Sequence, residues 1–256
     1  PDIYDHRNIH CDVLVVGAGI SGILAAKNAA KNNFKTLLVD EKNELGGSTI
    51  YENNEFNKID NKTPSEWLKK EIEELKNIKN LEIKTRTSVA AYHQYNYLLA
   101  RENLTDHLEA KDKTNKIRQR LLKIRAKKVI LATGALERPL IFNNNDRPGI
   151  MLSSAVKKYS EFYGVACGSK NVFFTNNDSA YESALSLYNK GINVEAIIDI
   201  REQSESKIVK KVKEAGIKIY WSHSIVDTTG YKRLNSISIM KLSNDGTSVT
   251  GSKISI

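Results

Sequence analysis

Cysteine is scarce in this chain: Cys11 and Cys167 are the two thiols among 256 residues. A disulfide-stapled fold is excluded, and the lack of any CxxC also excludes a dithiol redox centre, which needs two sulfurs close enough to exchange electrons. Both thiols are expected to be inert, as in an intracellular protein. Long hydrophobic runs are missing too. No stretch approaches the roughly 20 apolar residues of a membrane span, and no export signal precedes Cys11. The expectation is a soluble, cytoplasmic chain with no membrane partner. Histidine is thinly spread: His6, His10, His93, His107 and His223 show no ligand spacing of the kind zinc or iron requires, so no metal site is expected. Asp5-His6 and Asp106-His107 are adjacent pairs, but sequence neighbours seldom form a catalytic couple. No residue has a secure claim to catalysis.

Acid is in deficit relative to base. The chain has 39 Lys and Arg against 30 Asp and Glu, a net charge of +9, which suits anionic partners without naming one. Between Lys111 and Lys128 nine bases accompany one acid, Asp112. Leu121, Leu122, Ile124 and Ala126 interrupt these charges, as in strands with one wet face. A solvated edge or a subunit contact is expected there, not a nucleic-acid surface.

What is present is concentrated near the N-terminus. Asp12-Val-Leu-Val-Val-Gly17-Ala-Gly19-Ile-Ser-Gly22 reads as an apolar strand, a glycine turn and a helix start, and Thr36 to Val39 forms the next strand before Asp40-Glu41. In that context GxGxxG predicts a bound dinucleotide. Gly17 makes the tight turn, Gly19 admits the pyrophosphate to the backbone, and Gly22 lets helix and strand pack closely. The diphosphate is expected on unpaired N–H groups at the positive helix end. Asp40 lies near the expected spacing of about 20 residues for a carboxylate on the adenosine ribose, and Glu41 can share or take that role. A carboxylate here repels a 2'-phosphate, favouring NAD or FAD over NADP.

Other segments bear on the same site. Leu45-Gly46-Gly47-Ser48 is a turn that can bring N–H groups near the cofactor. Thr63-Pro64-Ser65-Glu66 starts a capped helix running to about Asn77, with Trp67 in the core. Leu81 to Val89 alternates like one strand, placing the Val89 backbone beside the adenine. Tyr92 to Leu99 and Arg118 to Ile124 look like parts of an antiparallel excursion. Lys128 to Ala135 returns as a buried strand ending at Thr133-Gly134, next to the dinucleotide.

The predicted fold is α/β, with two dinucleotide-binding-like domains and that antiparallel excursion: residues 1–148 for the nucleotide and 149–256 for a degenerate copy. In the second, strands at Asn171 to Thr175, Val194 to Ile198 and Ile217 to Trp221 alternate with helices at Ser179 to Lys190 and Arg201 to Ala215. A helix at Ser153 to Tyr163 precedes them, and a hairpin from Leu234 to Leu242 and Ser248 to Ile256 follows. This repeat lacks the glycines. Thr175-Asn176-Asn177-Asp178-Ser179-Ala180 stands in the phosphate-loop position, where Asn and Asp side chains crowd or repel a pyrophosphate, so an architectural or interface role is expected. The start at Pro1 and the stop after the hairpin suggest part of a longer polypeptide.

Longer runs are more specific than GxGxxG. Asp106-His107-Leu108, Gln119 to Lys127, Ala132-Thr133-Gly134-Ala135-Leu136-Glu137-Arg138-Pro139, Asn145-Asp146-Arg147-Pro148-Gly149-Ile150-Met151-Leu152 and Thr175 to Tyr181 resemble the alpha subunit of heterotetrameric sarcosine oxidase, over nearly the whole chain. The resemblance implies a fold of the FAD/NAD-linked reductase type. It also implies a subunit that holds NAD without hydride turnover, supporting flavin-dependent oxidative demethylation of sarcosine with methylene transfer to tetrahydrofolate. FAD then belongs to a flavin-binding beta subunit, FMN to the alpha/beta interface, and smaller subunits complete the assembly. The implied NAD contacts are Gly17, Gly19, Gly22, Asp40, Glu41, Gly47, Ser48, Val89, Thr133 and Gly134, while Arg138-Pro139 and Asn145 to Arg147 are cofactor-side or interface candidates. Two departures stand out: Ile20-Ser21 replaces a proline after the second loop glycine, and the family's ferredoxin-like and folate-binding regions are absent from these residues. Relatives acting on other secondary amines leave the substrate open. The alternatives are a self-contained FAD oxidoreductase using NADH, with FAD in this chain, and a noncatalytic NAD-bound scaffold for a flavoprotein.

Overall fold

The computed structural model describes residues 2–52 and 58–256. Two compact units divide the chain between Ala135 and Leu136, earlier than the expected 148. The segment leading to Gly149 is bound into the second unit: Arg147 Nε donates to Thr228 Oγ1 at 3.2 Å, and Leu234 N donates to Pro148 O at 2.7 Å.

The first unit opens with β1 (Ile3–Val16), α1 (Ile20–Lys31) and β2 (Thr36–Val39), followed by α2 (Pro64–Lys76) and β3 (Leu81–Lys84). Then come β4 (Thr87–His93), β5 (Tyr97–Asn103), a single helical turn α3 (Ala110–Lys113) and β6 (Ile117–Leu131). Among the described residues these strands form a six-stranded sheet in the order β3-β2-β1-β6-β5-β4. Strands β1, β2, β3 and β6 run parallel, and β4-β5-β6 is the antiparallel part. Leu14, Val15, Leu38 and Val39 are fully buried because helices and strands close over both faces of the parallel strands. Helices α1 and α2 cover one face through Ile23, Ala26, Trp67, Leu68 and Leu75, packed with Val13, Val15 and Leu38. The α2 start is the expected capping box: Thr63 accepts from Glu66 N while the Glu66 carboxylate accepts from Thr63 N at 3.0 Å.

Several sequence expectations change here. Leu81 to Val89 is two strands on opposite edges of the sheet, broken at Thr85-Arg86, where Arg86 takes φ +50° and Thr87 Oγ1 bonds Thr85 O. The separate strands at Arg118 and Lys128 are one continuous β6, since no glycine or proline interrupts residues 117–131. The basic run is no solvated edge, because β6 lies between β1 and β5. Its alternating face of Arg120, Leu122, Ile124 and Ala126 is buried, and acids neutralise several bases: Arg118 with Asp2 and Asp106, Arg120 with Asp5, Lys127 with Asp12.

The second unit contains α4 (Ser153–Tyr163), β7 (Asn171–Thr175), α5 (Ser179–Asn189), β8 (Val194–Asp199), α6 (Lys207–Glu214) and β9 (Lys218–Trp221). Strands β10 (His223–Thr229), β11 (Ser236–Leu242) and β12 (Val249–Ser255) complete it. A parallel β7-β8-β9 sheet and an antiparallel β10-β11-β12 sheet pack through Ile198, Ile225, Ile237 and Ile239. The helix expected from Arg201 starts only at Lys207, because the Ser206 side chain caps it by accepting from Val209 N. Strand β10 escaped sequence reading, as its polar alternation resembles a loop. No helix among the described residues is long and apolar enough to cross a membrane.

Candidate functional site

In the first unit the glycine turn joins β1 to α1, at the carboxyl ends of the parallel strands. Gly17 has φ +97°, and a Cβ there would lie 2.3 Å from Ala132 O. A Cβ at Gly22 would lie 1.8 Å from Gly17 O, so helix and turn touch through a position that only hydrogen fits. Gly19 differs: a Cβ built on it meets nothing within 4 Å. Its open side is where the backbone can be approached.

The start of α1 is prepared for an anion. Gly19 supplies no side-chain cap and the first turn carries no acid, so its leading N–H groups and the positive end of the helix dipole are not satisfied by a local carboxylate. The Gly46-Gly47 turn packs alongside. Gly46 N donates to Ala18 O at 2.7 Å, and a Gly47 Cβ would stand 3.1 Å from Gly19 Cα. Thr49, in the same turn, is buried with no hydrogen-bond partner for its hydroxyl among the described residues. Ala132 N donates to Val16 O at 2.8 Å, which brings Thr133 against Gly17. Gly134 follows at φ +74° with open space over its Cα.

The two acids after β2 are placed differently. Asp40 is buried, and both carboxylate oxygens accept backbone bonds: Oδ2 from Ala18 N at 2.6 Å and Oδ1 from Lys42 N at 2.8 Å. It straps the glycine turn to the end of β2. Glu41 is exposed. Thr87 N binds Asp40 O at 2.8 Å and ties β4 to the same corner. Val89 lies two residues on, its side chain against the apolar cluster of Leu98 and Leu122. Ser48 is exposed at the turn. Gly17, Gly19, Gly22, Asp40, Gly47 and Thr133 are thus gathered in one place. Ala18 contributes through its backbone, donating to Asp40 and accepting from Gly46, and sequence reading passed over it because its side chain signals no such role; Gly46 lies in the turn expected to bring N–H groups to this corner.

The corresponding corner of the second unit is filled by the protein itself. Asn177 Oδ1 accepts from Ser179 N at 3.0 Å and so occupies the first N–H of α5. Asp199, at the end of β8 as Asp40 is at the end of β2, is fully buried. Its carboxylate takes the Tyr181 hydroxyl at 2.7 Å and Arg201 Nη2 at 2.7 Å. The same guanidinium reaches Asp178 Oδ1 at 2.8 Å. Burial and Asp199 raise the Tyr181 hydroxyl above the ordinary tyrosine value, and Asp199 does the same for Arg201. Neither group is set up for proton transfer near neutrality. Arg201 and Tyr181 are the residues that sequence reading missed, although Asp199 at a strand end was a visible signal.

Cys11 is buried, and burial pushes its thiol up to about 11, which suits an inert side chain. Cys167 is exposed and free. No group of three or more His, Cys, Asp or Glu able to hold a metal occurs among the described residues. Arg147 is engaged by Thr228 in the second unit.

The family model for pyridine nucleotide-disulphide oxidoreductases matches residues 14–255. The chain belongs to this family. It is closely related to bacterial sarcosine oxidase alpha subunits, being 38% identical over 247 residues to that of Corynebacterium sp. (strain P-1) and 33% identical over 252 residues to that of Rhizobium meliloti (strain 1021). Each alignment covers 96% of this chain and 25% of the relative, so the chain spans about a quarter of the length of these curated relatives. Among solved structures, T. acidophilum thioredoxin reductase superposes with a TM-score of 0.65 at 19% identity, covering 96% of this chain and 74% of that one. L-proline dehydrogenase from P. horikoshii gives 0.61 at 21%, covering 94% and 40%. These likenesses establish the α/β fold with Rossmann-like sheets and an additional antiparallel sheet.

Proposed function

We propose that this chain is the NAD-holding portion of the alpha subunit of a multisubunit sarcosine oxidase, supporting oxidative demethylation of sarcosine at flavins carried with partner subunits. One contrast carries the reading: the first glycine turn is open at Gly19 and uncapped at α1, whereas the matching corner of the second unit is filled by Tyr181, Asp199 and Arg201. The relationship to the sarcosine oxidase alpha subunits supports the assembly and the amine substrate.

The residues at the first corner fit a dinucleotide. Leading N–H groups of α1 and the Gly47 turn would hold the pyrophosphate, with Gly19 allowing its approach and Gly22 holding the helix in place. Glu41 would accept from the ribose hydroxyls, while Asp40 would fix the turn, since its two oxygens are already engaged by Ala18 and Lys42. Ser48, Val89, Thr133 and Gly134 would line the remainder. NAD bound here would supply a nicotinamide capable of accepting hydride, yet no described side chain is arranged as an acid or base for turnover. The chain's own contribution is to bind and orient. FAD would lie in the flavin-binding beta-like subunit and FMN at the interface with it.

The decisive experiment is mass spectrometry of the ligand released when natively purified protein is denatured. NAD near one equivalent supports the assignment; reproducible absence of NAD overturns it. FAD in its place would favour a self-contained oxidoreductase, and bleaching of that flavin by NADH without a partner would establish one.

A further inference from the structure

Two of the runs singled out in the sequence, Asp106-His107-Leu108 and Gln119 to Lys127, have no part in the proposed nucleotide corner. In the fold they meet. Asp106 Oδ1 accepts from Arg118 Nε at 2.5 Å and Oδ2 from Gln119 Nε2 at 2.8 Å, while its backbone oxygen accepts from Lys113 Nζ at 3.1 Å. Leu104 N and Thr105 N both donate to Arg118 O, at 3.0 and 3.3 Å. The segment after β5 is thereby tied to the start of β6. Between them the chain turns back through Asn115, at φ +57°, and Lys116 N donates to Lys113 O at 3.1 Å. That turn brings both lysines to the same cavity.

The cavity has a volume of about 280 Å³ and is lined by Asp2, Thr105, Lys113, Lys116 and Arg118. Three bases face one acid. No aromatic or long apolar side chain is in the lining, so a planar ring or an alkyl chain would find nothing to pack against. Arg118 is held from behind by Asp106, which fixes the plane of its guanidinium, and its Nη1 reaches Asp2 Oδ2 at 2.5 Å. The Asp2 side chain is 53% exposed, so its hold on the guanidinium competes with water. Lys113 spends one N–H on a neutral carbonyl, and no carboxylate pairs with it among the described residues. Lys116 has no ion-pair or side-chain hydrogen-bond partner among the described residues. Thr105 is buried, and its hydroxyl makes only a long approach of 3.5 Å to Ile117 O.

We propose that this cavity seats a compact oxyanion, a phosphate or carboxylate group, held by the Arg118 fork, Lys113, Lys116 and the Thr105 hydroxyl, with Asp2 as the stand-in that the ligand displaces. Size and donor set select that class. At about 280 Å³ the cavity lies below the range of roughly 300–1,000 Å³ for larger organic ligands, so a phosphate fits and a dinucleotide does not. A guanidinium matches two oxygens of either group in one plane. The Asp2 carboxylate on Nη1 already takes the position of one ligand oxygen. The site is separate from the glycine turn, and its failure leaves the proposed function standing.

The test is calorimetric titration of the full chain with inorganic phosphate, in low-chloride buffer and with NAD in excess so that the start of α1 is occupied. One saturable equivalent is expected. Lys116→Gln removes an unpaired cation and should weaken that binding about tenfold, the scale of one charge-assisted hydrogen bond. Asp2→Asn takes away the competing carboxylate and should tighten it about threefold. Lys111→Gln makes the same charge change at a residue paired with Glu109 outside the cavity lining, and should leave binding within about twofold. Circular dichroism confirms that each variant is folded. Succinate that displaces bound phosphate and binds more tightly supports the site with a carboxylate as its ligand, and weaker binding supports phosphate. Absence of saturable binding up to about 10 mM of either anion overturns the site. Binding indifferent to Lys116→Gln also overturns it, because the anion then sits elsewhere, as does equal weakening by Lys111→Gln, the mark of a general attraction to a basic surface.

Discussion

At the residue scale, the three loop glycines face different constraints, and substitution should separate them. Gly19→Ala places its methyl in open space at an ordinary φ of −72°, so thermal stability should stay within about 0.5 kcal/mol while bound NAD, measured by release and mass spectrometry, falls sharply. Gly22→Ala drives its methyl into Gly17 O; destabilisation of about 1–3 kcal/mol in urea should accompany loss of the nucleotide. The acids divide similarly. Asp40→Asn leaves one of two backbone donors short of an acceptor and should cost about 1–3 kcal/mol. Glu41→Gln should weaken NAD binding with unchanged urea unfolding. The reverse pattern would return the ribose role to Asp40. Position in sequence pointed first to Asp40, with Glu41 able to share or take the role; the bonds from Ala18 and Lys42 favour Glu41 instead.

At the element scale, α1 and α2 are clamped across the face of the parallel sheet by Lys27, which pairs with Glu71 at 2.5 Å and Glu74 at 2.8 Å. Hydrogen bonds from Lys27 and then Lys31 hold the Glu74 carboxyl down to about 2, from an ordinary 4.5. Because the folded value is depressed, this contribution is fully present above about pH 4.5 and is lost as pH falls toward 2. Lys27→Met should flatten the decline in melting temperature across that window, and an unchanged profile would assign the acid sensitivity elsewhere. The start of α2 was legible in its residues, because Thr63, Pro64 and Glu66 bond within one turn. Strands β4 and β10 were not, since their pairing depends on partners distant in sequence or on turns without a clear signal.

At the whole-molecule scale, the corner at Gly19 of the first unit is open while the matching corner of the second is filled by Tyr181, Asp199 and Arg201, and the proposed function puts one nucleotide on the chain. Equilibrium dialysis with NAD should saturate at one equivalent per chain, and a second equivalent of comparable affinity would show that the Arg201 cluster yields to ligand. Tyr181→Phe removes a donor from buried Asp199 and should lower the stability of the second unit by about 1–3 kcal/mol, without changing the NAD content of the first.

The sequence by itself determined the strand-turn-helix at Gly17 to Gly22, the loss of glycine at Asn176 to Asp178, the capping of α2 and the family. Each of these is local chemistry, in which backbone freedom, side-chain size and charge act within a few residues. Tertiary structure decided the assignment of Asp40 as a strap with Glu41 free, the continuity of β6 through the centre of its sheet and the filling of the second corner by Arg201. Those outcomes depend on which groups meet across long separations: a carboxylate is available to a ligand only where the folded chain has not already supplied its donors.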